Sequence, residues 1–368
     1  MTIDLDLIPV EKWGYNLKAP IIISGPCSAE SAEQVMETVL GIAKYPQVSI
    51  IRAGIWKPRT RPGTFEGIGL EGLSWLTDAG KAVGKPVATE IANAMHLEQA
   101  LKAGVQILWI GARTTVNPFG MQEIADALKG VDVPVFVKNP INPDLELWIG
   151  GLERLNKAGV KKLGAIHRGF STSIKSEYRN KPQWELALEL RRKIPHLPVI
   201  CDPSHICGTR EYIQEVAQKA MDLDYDGLMI EAHRNPSVAL SDAKQQVTPE
   251  ELGRILDALV IRDRTTSDAF VLNKMEELRD MIDSIDKDLL NLISKRMEVA
   301  KEIGQYKKDN NITILQSGRW QDLVKDRVEE GKRKGLSEDF VDTYLQAIHG
   351  ESIRIQNEIM NKVLDVRV

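Results

Sequence analysis

The chain has 368 residues, a formal net charge of -4 and a pI near 6.0, a balance that gives no reason to invoke a nucleic-acid partner. Its length suits one large domain followed by a small one, and no apolar run approaches the ~20 residues of a membrane span. Three cysteines, Cys27, Cys201 and Cys207, make no disulfide framework, and Met1-Thr-Ile-Asp-Leu-Asp6 lacks the basic start and apolar core of a secretory leader. A cytoplasmic protein with no membrane partner is therefore expected.

Up to about residue 260 the chain alternates short β-branched runs with helical patterns of roughly a dozen residues. The runs are Ile21–Ser24, Val48–Arg52, Pro86–Thr89, Ile107–Ile110, Val135–Lys138, Lys162–Ile166, Val199–Asp202 and Gly227–Glu231. Each is read as following a turn signal such as Ala-Pro, Gly-Lys-Pro, Val-Pro or Leu-Pro. Repeated strand-then-helix units predict a closed parallel (β/α)8 barrel over residues 1–261; a doubly wound open sheet would have fewer units, and no GxGxxG follows the first run.

In such a barrel the chemistry sits where strands end. The first ends in Gly25-Pro-Cys27-Ser, the second in a loop of four cations, Arg52, Lys57, Arg59 and Arg61, stiffened by Pro and Gly. Later ends carry Thr89-Glu90, Gly111-Ala-Arg113, Lys138-Asn139, His167-Arg168, Asp202-Pro-Ser-His205 and Glu231-Ala-His233, with Asp242 beyond. Cys27, His205, Glu231 and Asp242 together make a ligand set for one divalent transition metal. The thiolate argues against magnesium and leaves Mn, Fe, Co or Zn open. Singly, each has a plain structural reading: a packed thiol, a turn cap, a helix N-terminal acid. Arg52, Lys57, Arg113, Lys138 and Arg168 would repel one another without an anion between them, which a phosphate and a carboxylate supply.

Arg262-Asp-Arg-Thr-Thr-Ser-Asp268 reads as part of a linker over 262–271. From 272 to 368 there are no strand signals. Leu278, Ile282, Ile285, Leu289, Ile293, Val299 and Ile303 trace a helix of about forty residues with one apolar stripe. Ser317-Gly318 and Lys334-Gly-Leu-Ser337 read as breaks, with Ser337 an N-cap, so three helices are expected. A helix that long cannot bury its stripe within one small domain, and packing against a second copy, a homodimer or higher, is expected. Arg296 and Lys307 lie about 20° apart around the first helix. Ser352 and Gln356 share a face of the third. Cations and hydrogen-bonding groups on apolar stripes suit a small dianion held between helices; side chains that merely snorkel outward are the alternative.

Gly25-Pro-Cys-Ser, Lys57-Pro-Arg-Thr60, Ile110-Gly-Ala-Arg113, His167-Arg-Gly, Asp202-Pro-Ser-His205 and Leu240-Ser-Asp242 resemble the 3-deoxy-D-arabino-heptulosonate 7-phosphate synthases, in the short type Iβ form. The resemblance implies condensation of phosphoenolpyruvate with erythrose 4-phosphate. It implies a metal on Cys27, His205, Glu231 and Asp242, and phosphoenolpyruvate on Arg52, Lys57, Arg113, Lys138 and Arg168. Arg59 and Thr60 would take the aldose and its phosphate. Lys57 is expected to donate a proton to the aldehyde oxygen, its pKa lowered among other cations. The octulosonate 8-phosphate synthases share the barrel and the metal ligands, but usually have Asn where this loop has Pro-Arg. The first strand comes almost at once, so regulation through an extra amino-terminal domain is not expected.

The tail resembles the all-helical chorismate mutases through Leu278-Arg279, Ile282-Asp283, Arg296-Met, Ile303-Gly-x-Tyr-Lys307, Arg319 and Glu351-Ser352-x-x-x-Gln356. The implied site holds chorismate or prephenate between Arg296, Lys307, Arg319, Ser352 and Gln356, with Arg279 reaching in from a partner chain. Arg296 and Lys307 are the expected catalytic cations. Gln316 and Trp320 depart from the family's Asp-x-x-Arg-Glu and remove an acidic acceptor for the substrate hydroxyl. The expectation is a bifunctional enzyme whose helical domain also mediates feedback; a synthase with a non-catalytic regulatory tail is the alternative.

Overall fold

A computed structural model describes residues 2–57, 63–172, 176–263, 265–315 and 317–361, without the side chains of 317–319, 321 and 322. Eight parallel strands close a barrel in sequence order: β1 (Ile21–Gly25), β2 (Val48–Arg52), β3 (Val87–Ile91), β4 (Ile107–Ile110), β5 (Val135–Lys138), β6 (Leu163–His167), β7 (Val199–Cys201) and β8 (Gly227–Glu231). β8 returns to β1 in register from Ile21↔Gly227 to Gly25↔Glu231. The barrel's helices are α1 (Ala32–Ile42), α2 (Leu70–Val83), α3 (Ala94–Lys102), α4 (Ala112–Thr115), α5 (Pro118–Ala127), α6 (Leu145–Lys157), α7 (Trp184–Lys193), α8 (Pro203–Cys207), α9 (Ile213–Asp222) and α10 (Pro249–Ala258).

The sequence punctuates these units chemically. Ser31, Asn93, Asn117, Asp144, Asp202 and Thr248 sit at N-caps, and each side chain accepts from an otherwise orphaned first-turn N–H. Pro118, Pro203 and Pro249 follow as first helical residues, where no N–H is needed.

Two apolar layers result. One lies between strands and helices. The other fills the barrel, where Ile21, Ile23, Ile50, Ala88, Ile107, Trp109, Phe136, Ile166, Ile200 and Met229 meet, as even spacing along buried strands requires. Trp13 and Leu17 close this inner core at the strands' amino ends, with the Trp13 ring edge-on to Phe136 at 5.4 Å. That end is therefore shut by hydrocarbon, and polar side chains gather at the other. Gly25, at φ 145°, turns the chain off β1. A Cβ there would collide with the Arg52 carbonyl oxygen.

The chain divides into two compact units, Met1–Arg264 and Thr265–Val368. The second holds α11 (Ala269–Asp309), α12 (Ser317–Arg333) and α13 (Glu338–Asn361). α11 begins inside the expected linker and runs 41 residues. Ser317 and Gly318 do not break the helix pattern: they open α12, and the break lies before them. Ser337 caps α13, its hydroxyl accepting from the Phe340 N–H at 3.3 Å. Within this unit the amino-terminal part of α11 is uncovered: Leu278, Ile282, Ile285 and Leu289 are 46–57% exposed. No helix among the described residues is long and apolar enough to cross a membrane.

Candidate functional site

Strand parity builds the barrel site. Ile50, Ala88, Phe136, Ile166, Ile200 and Met229 point into the inner core. Two residues on, Arg52, Glu90, Lys138, Arg168, Asp202 and Glu231 take the next inward position, at or just past the strand ends. Three cations and three carboxylates thus ring the mouth. Arg52 Nη1 stands 3.2 Å from Glu231 Oε1, and Lys138 Nζ donates to Asp202 Oδ2 at 2.8 Å. Both cations lie over the Trp109 ring, at 4.7 and 5.8 Å from its centre, while Trp109 Nε1 donates to Glu90 Oε2 at 2.9 Å. Sequence reasoning placed Glu90 and Asp202 at strand ends but gave neither a role; with Glu231 they form the acid half of this ring. Continuing each strand's alternation by one step shows that both face the mouth.

Arg168 donates to Asn180 Oδ1 at 2.7 Å. Burial pushes its pKa down to about 10, with Arg179 and Arg113 adding to the fall against Asp202 and Glu90. Guanidinium groups that disfavour one another's charge in a buried mouth favour an anion. Arg113 itself is exposed, on α4. Asp202 stays well below the usual carboxylate range: burial alone would raise it, but His205 and Lys138 outweigh burial.

The four expected metal ligands come together in pairs. Cys27 Sγ is 3.4 Å from Asp242 Oδ2, and His205 Nε2 is 3.8 Å from Glu231 Oε1. Among the described residues, no group of three or more His, Cys, Asp or Glu side chains is arranged to hold an ion. Positive side chains stand against these ligands instead: Lys57 Nζ at 2.9 Å from Cys27 Sγ, Arg52 on Glu231, and Arg179 Nη1 at 2.9 Å from Asp242 Oδ1. Glu231 Oε1 makes no hydrogen bond although buried; its 3.2 Å approach to Arg52 is an ion pair without hydrogen-bond alignment. A buried carboxylate oxygen without a hydrogen bond, beside a thiol, an imidazole and a second carboxylate, is a donor set that fits a divalent transition metal.

Arg179 and Gln245 also escaped the sequence reading. Arg179 Nη1 donates to Gln245 Oε1 at 2.9 Å, and Gln245 Nε2 donates to Glu231 Oε2 at 2.7 Å, so one chain of bonds orients both carboxylates. Burial pushes the Cys27 thiol up to about 12, and Glu231 adds to this against Lys57. The expected lowering of the Lys57 pKa is not what the site produces. Burial lowers it, but the Cys27 sulfur and Glu231 outweigh burial and leave it raised. Lys57 is a firmly held ammonium ion. Arg59 and Thr60 lie outside the described residues.

His167 shapes this mouth without facing it. Its Nε2 meets the Pro182 carbonyl at 2.6 Å, so that nitrogen carries the proton, and Nδ1 accepts from Tyr225 OH at 2.8 Å. The loop bearing Asn180 and Lys181 is thereby tied to β6. Burial pushes the His167 pKa down to about 4 from an ordinary 6.5. Between those values the unfolded chain binds a proton that the folded chain refuses. Stability is therefore complete above ~6.5 and falls by about 3 kcal/mol as pH drops toward 4. The urea midpoint of the wild-type chain should fall across that window, and His167→Gln should flatten the fall. Equal slopes in the two would remove this role from His167.

In the second unit a cavity of about 270 Å3 opens between α11, α12 and α13. Arg296, Lys307, Ser352 and Gln356 line it, as expected, and so do Trp320 and His349, which were not expected. Arg296 Nη1 donates to Ser352 Oγ at 2.6 Å, and Lys307 Nζ donates to the Ile314 carbonyl at 2.5 Å. Gln356 Oε1 is buried without a hydrogen bond. Arg279 is not in this cavity: it lies 17 residues before Arg296 on α11, about 25 Å along the axis, paired with Glu276 at 3.4 Å. Gln316 and the Arg319 side chain lie outside the described residues. A larger hollow of about 490 Å3 lies at the amino ends of the barrel strands, lined by Leu5, Pro9 and Pro195, and its Arg191 and Asp226 face one another at 3.9 Å.

Comparison with known proteins agrees with both halves. Residues 12–266 match the DAHP synthetase I family, and residues 278–357 match chorismate mutase type II. A phospho-2-dehydro-3-deoxyheptonate aldolase of Thermotoga maritima is 32% identical over 248 residues, covering 66% of this chain and 71% of the relative. A 2-dehydro-3-deoxyphosphooctonate aldolase of Bordetella petrii is 26% identical over 283 residues, covering 69% of this chain and 94% of the relative. The crystal structure of the Thermotoga maritima DAHP synthase superposes with a TM-score of 0.58 at 28% identity, covering 71% of this chain and 69% of that one.

Proposed function

We propose, from the premise that this chain belongs to the DAHP synthetase I family, that its barrel mouth joins phosphoenolpyruvate to erythrose 4-phosphate. The chain is a bifunctional shikimate-pathway enzyme, a synthase barrel followed by a chorismate mutase region. The observation that carries the barrel reading is the inward ring of Arg52, Lys138 and Arg168 beside Lys57 and Cys27.

Phosphoenolpyruvate brings a phosphate and a carboxylate, which Arg52, Lys57, Arg113, Lys138 and Arg168 are placed to hold. Fixing it there sets carbon 3 toward the aldehyde carbon of the second substrate, so that the two react as one bound pair. The new carbon–carbon bond leaves positive character at carbon 2. Water adds to that carbon, and inorganic phosphate departs. Lys57, held as an ammonium ion, donates the proton that the aldehyde oxygen takes up. Glu231, Asp202 and Glu90 keep the cations apart in the free site. Cys27, His205, Glu231 and Asp242 would hold a divalent metal (Mn, Fe, Co or Zn), which supplies Lewis acidity toward the aldehyde oxygen when bound. Arg59 and Thr60 take the aldose phosphate in this reading.

In the helical unit, Arg296 and Lys307 pair with the two carboxylates of chorismate, and Lys307 keeps N–H groups for the ether oxygen whose bond breaks as prephenate forms. Ser352 holds the Arg296 guanidinium, and Gln356 adds an amide. The bare apolar length of α11 and the remoteness of Arg279 support a dimer in which a partner's α11 covers the stripe and delivers Arg279. Prephenate in the same cavity would provide feedback on the barrel.

The discriminating experiment measures phosphate release from phosphoenolpyruvate with two acceptors. Turnover with erythrose 4-phosphate and none with arabinose 5-phosphate is expected. The reverse preference would make the barrel an octulosonate synthase.

A further inference from the structure

The helical cavity is well supplied with hydrogen-bond donors and short of acceptors. Chorismate carries a hydroxyl on ring carbon 4 besides its two carboxylates, and a buried hydroxyl needs an acceptor. Arg296 and Lys307 offer only N–H groups. Ser352 Oγ accepts from Arg296 at 2.6 Å and donates to the Ile348 carbonyl at 2.8 Å, which leaves it a single lone pair beside that guanidinium. No carboxylate lines the cavity among the described residues. Among the other described lining side chains two acceptors remain, the Gln356 amide oxygen and the His349 imidazole.

The two lie two turns apart on one face of α13, each against a different neighbouring helix. Gln356 packs its stem near Gly304 of α11, where an added Cβ would come within 3.0 Å of Gln356 Cγ. Its amide therefore sits toward the Arg296–Lys307 side. His349 lies two turns earlier on α13, and its ring stacks on Trp320 of α12, with centroids 3.8 Å apart and planes at 12°. Stacking fixes the plane of the imidazole and with it the direction of its in-plane lone pair. Burial lowers the His349 pKa, and Arg296 and Lys307 lower it further, so the ring keeps one bare nitrogen at neutral pH.

We propose that the stacked Trp320–His349 pair is the specificity wall of the mutase cavity, with the His349 imidazole accepting the hydrogen bond of the substrate's ring hydroxyl. This rests on the mutase reading above. Trp320 is a positioning residue: it holds the imidazole plane and makes no polar contact with substrate.

The test uses the full chain and two probes, chorismate and its 4-deoxy analogue. His349→Phe should lower kcat/KM for chorismate by roughly ten- to a hundredfold and leave the deoxy analogue nearly unchanged. His349→Asn, which keeps an acceptor, should recover part of the loss. Trp320→Ala should lose chorismate selectively, and Trp320→Phe, which keeps a ring to stack on His349, should lose less of it. Far-UV circular dichroism checks that each variant folds. Equal losses on both probes would make His349 structural and overturn the proposal. So would a selective loss in Gln356→Leu with none in His349→Phe, which assigns the hydroxyl to the amide. Wild-type protein inert toward chorismate would sink the mutase reading itself, a different failure.

Discussion

Arg296→Ala should lower kcat/KM for chorismate by about 10²- to 10³-fold, the usual loss when one aligned charge-stabilising donor is removed from an active site. The guanidinium is tied to Ser352 at 2.6 Å and lines the cavity with Lys307. Removing it leaves Lys307 as the one remaining expected cation among the described lining side chains, facing a ligand with two carboxylates. Ser352 loses its donor as well. Arg296→Lys keeps the charge but not the planar fork, so its rate should fall between the other two. A continuous assay of chorismate absorbance measures all three proteins. An alanine variant within threefold of wild type would mean that the dianion binds elsewhere.

Cys27→Ala should abolish condensation, with a loss beyond the roughly 10- to 100-fold that removing an outer-shell partner of a metal costs. The loop should survive the change, because its backbone is held independently of the sulfur. The Cys27 N–H donates to Gln246 Oε1 at 2.8 Å, and its carbonyl accepts from Arg52 Nη2 at 3.0 Å and from the Gly54 N–H at 3.1 Å. Lost activity in a chain of unchanged melting temperature therefore reports on chemistry at the sulfur. Phosphate release with saturating phosphoenolpyruvate and erythrose 4-phosphate is the measurement. Turnover within tenfold of wild type would remove Cys27 from the reaction.

The barrel was legible because each unit states its own local rule. A β-branched run is followed by an N-cap such as Ser31, Asn117 or Thr248 and then an amphipathic helix. Strand ends were legible in the same way, and with them most of the mouth cations. What escaped depends on neighbours that no single segment contains. The raised pKa of Lys57 comes from Cys27 and Glu231, which arrive from the ends of β1 and β8. Arg179 meets Asp242 across 63 positions of chain. Trp320 looked like a defect in a motif and instead stacks on His349, a pairing set by how α12 and α13 cross. Ser317-Gly318 misled for a local reason: small residues that weaken a helix interior are tolerated in its first turn, where few hydrogen bonds depend on them.

Cys27, His205, Glu231 and Asp242 are proposed to grip one metal ion. Titrating cobalt(II) into the metal-free chain, and into its Cys27→Ala variant, tests this most directly, because a thiolate bound to cobalt absorbs in the near ultraviolet and no other ligand in the set does. One equivalent of cobalt per chain should saturate that band in the wild type, and the variant should show none. A band that persists without Cys27, or a wild-type chain that shows no saturable binding, would contradict the account.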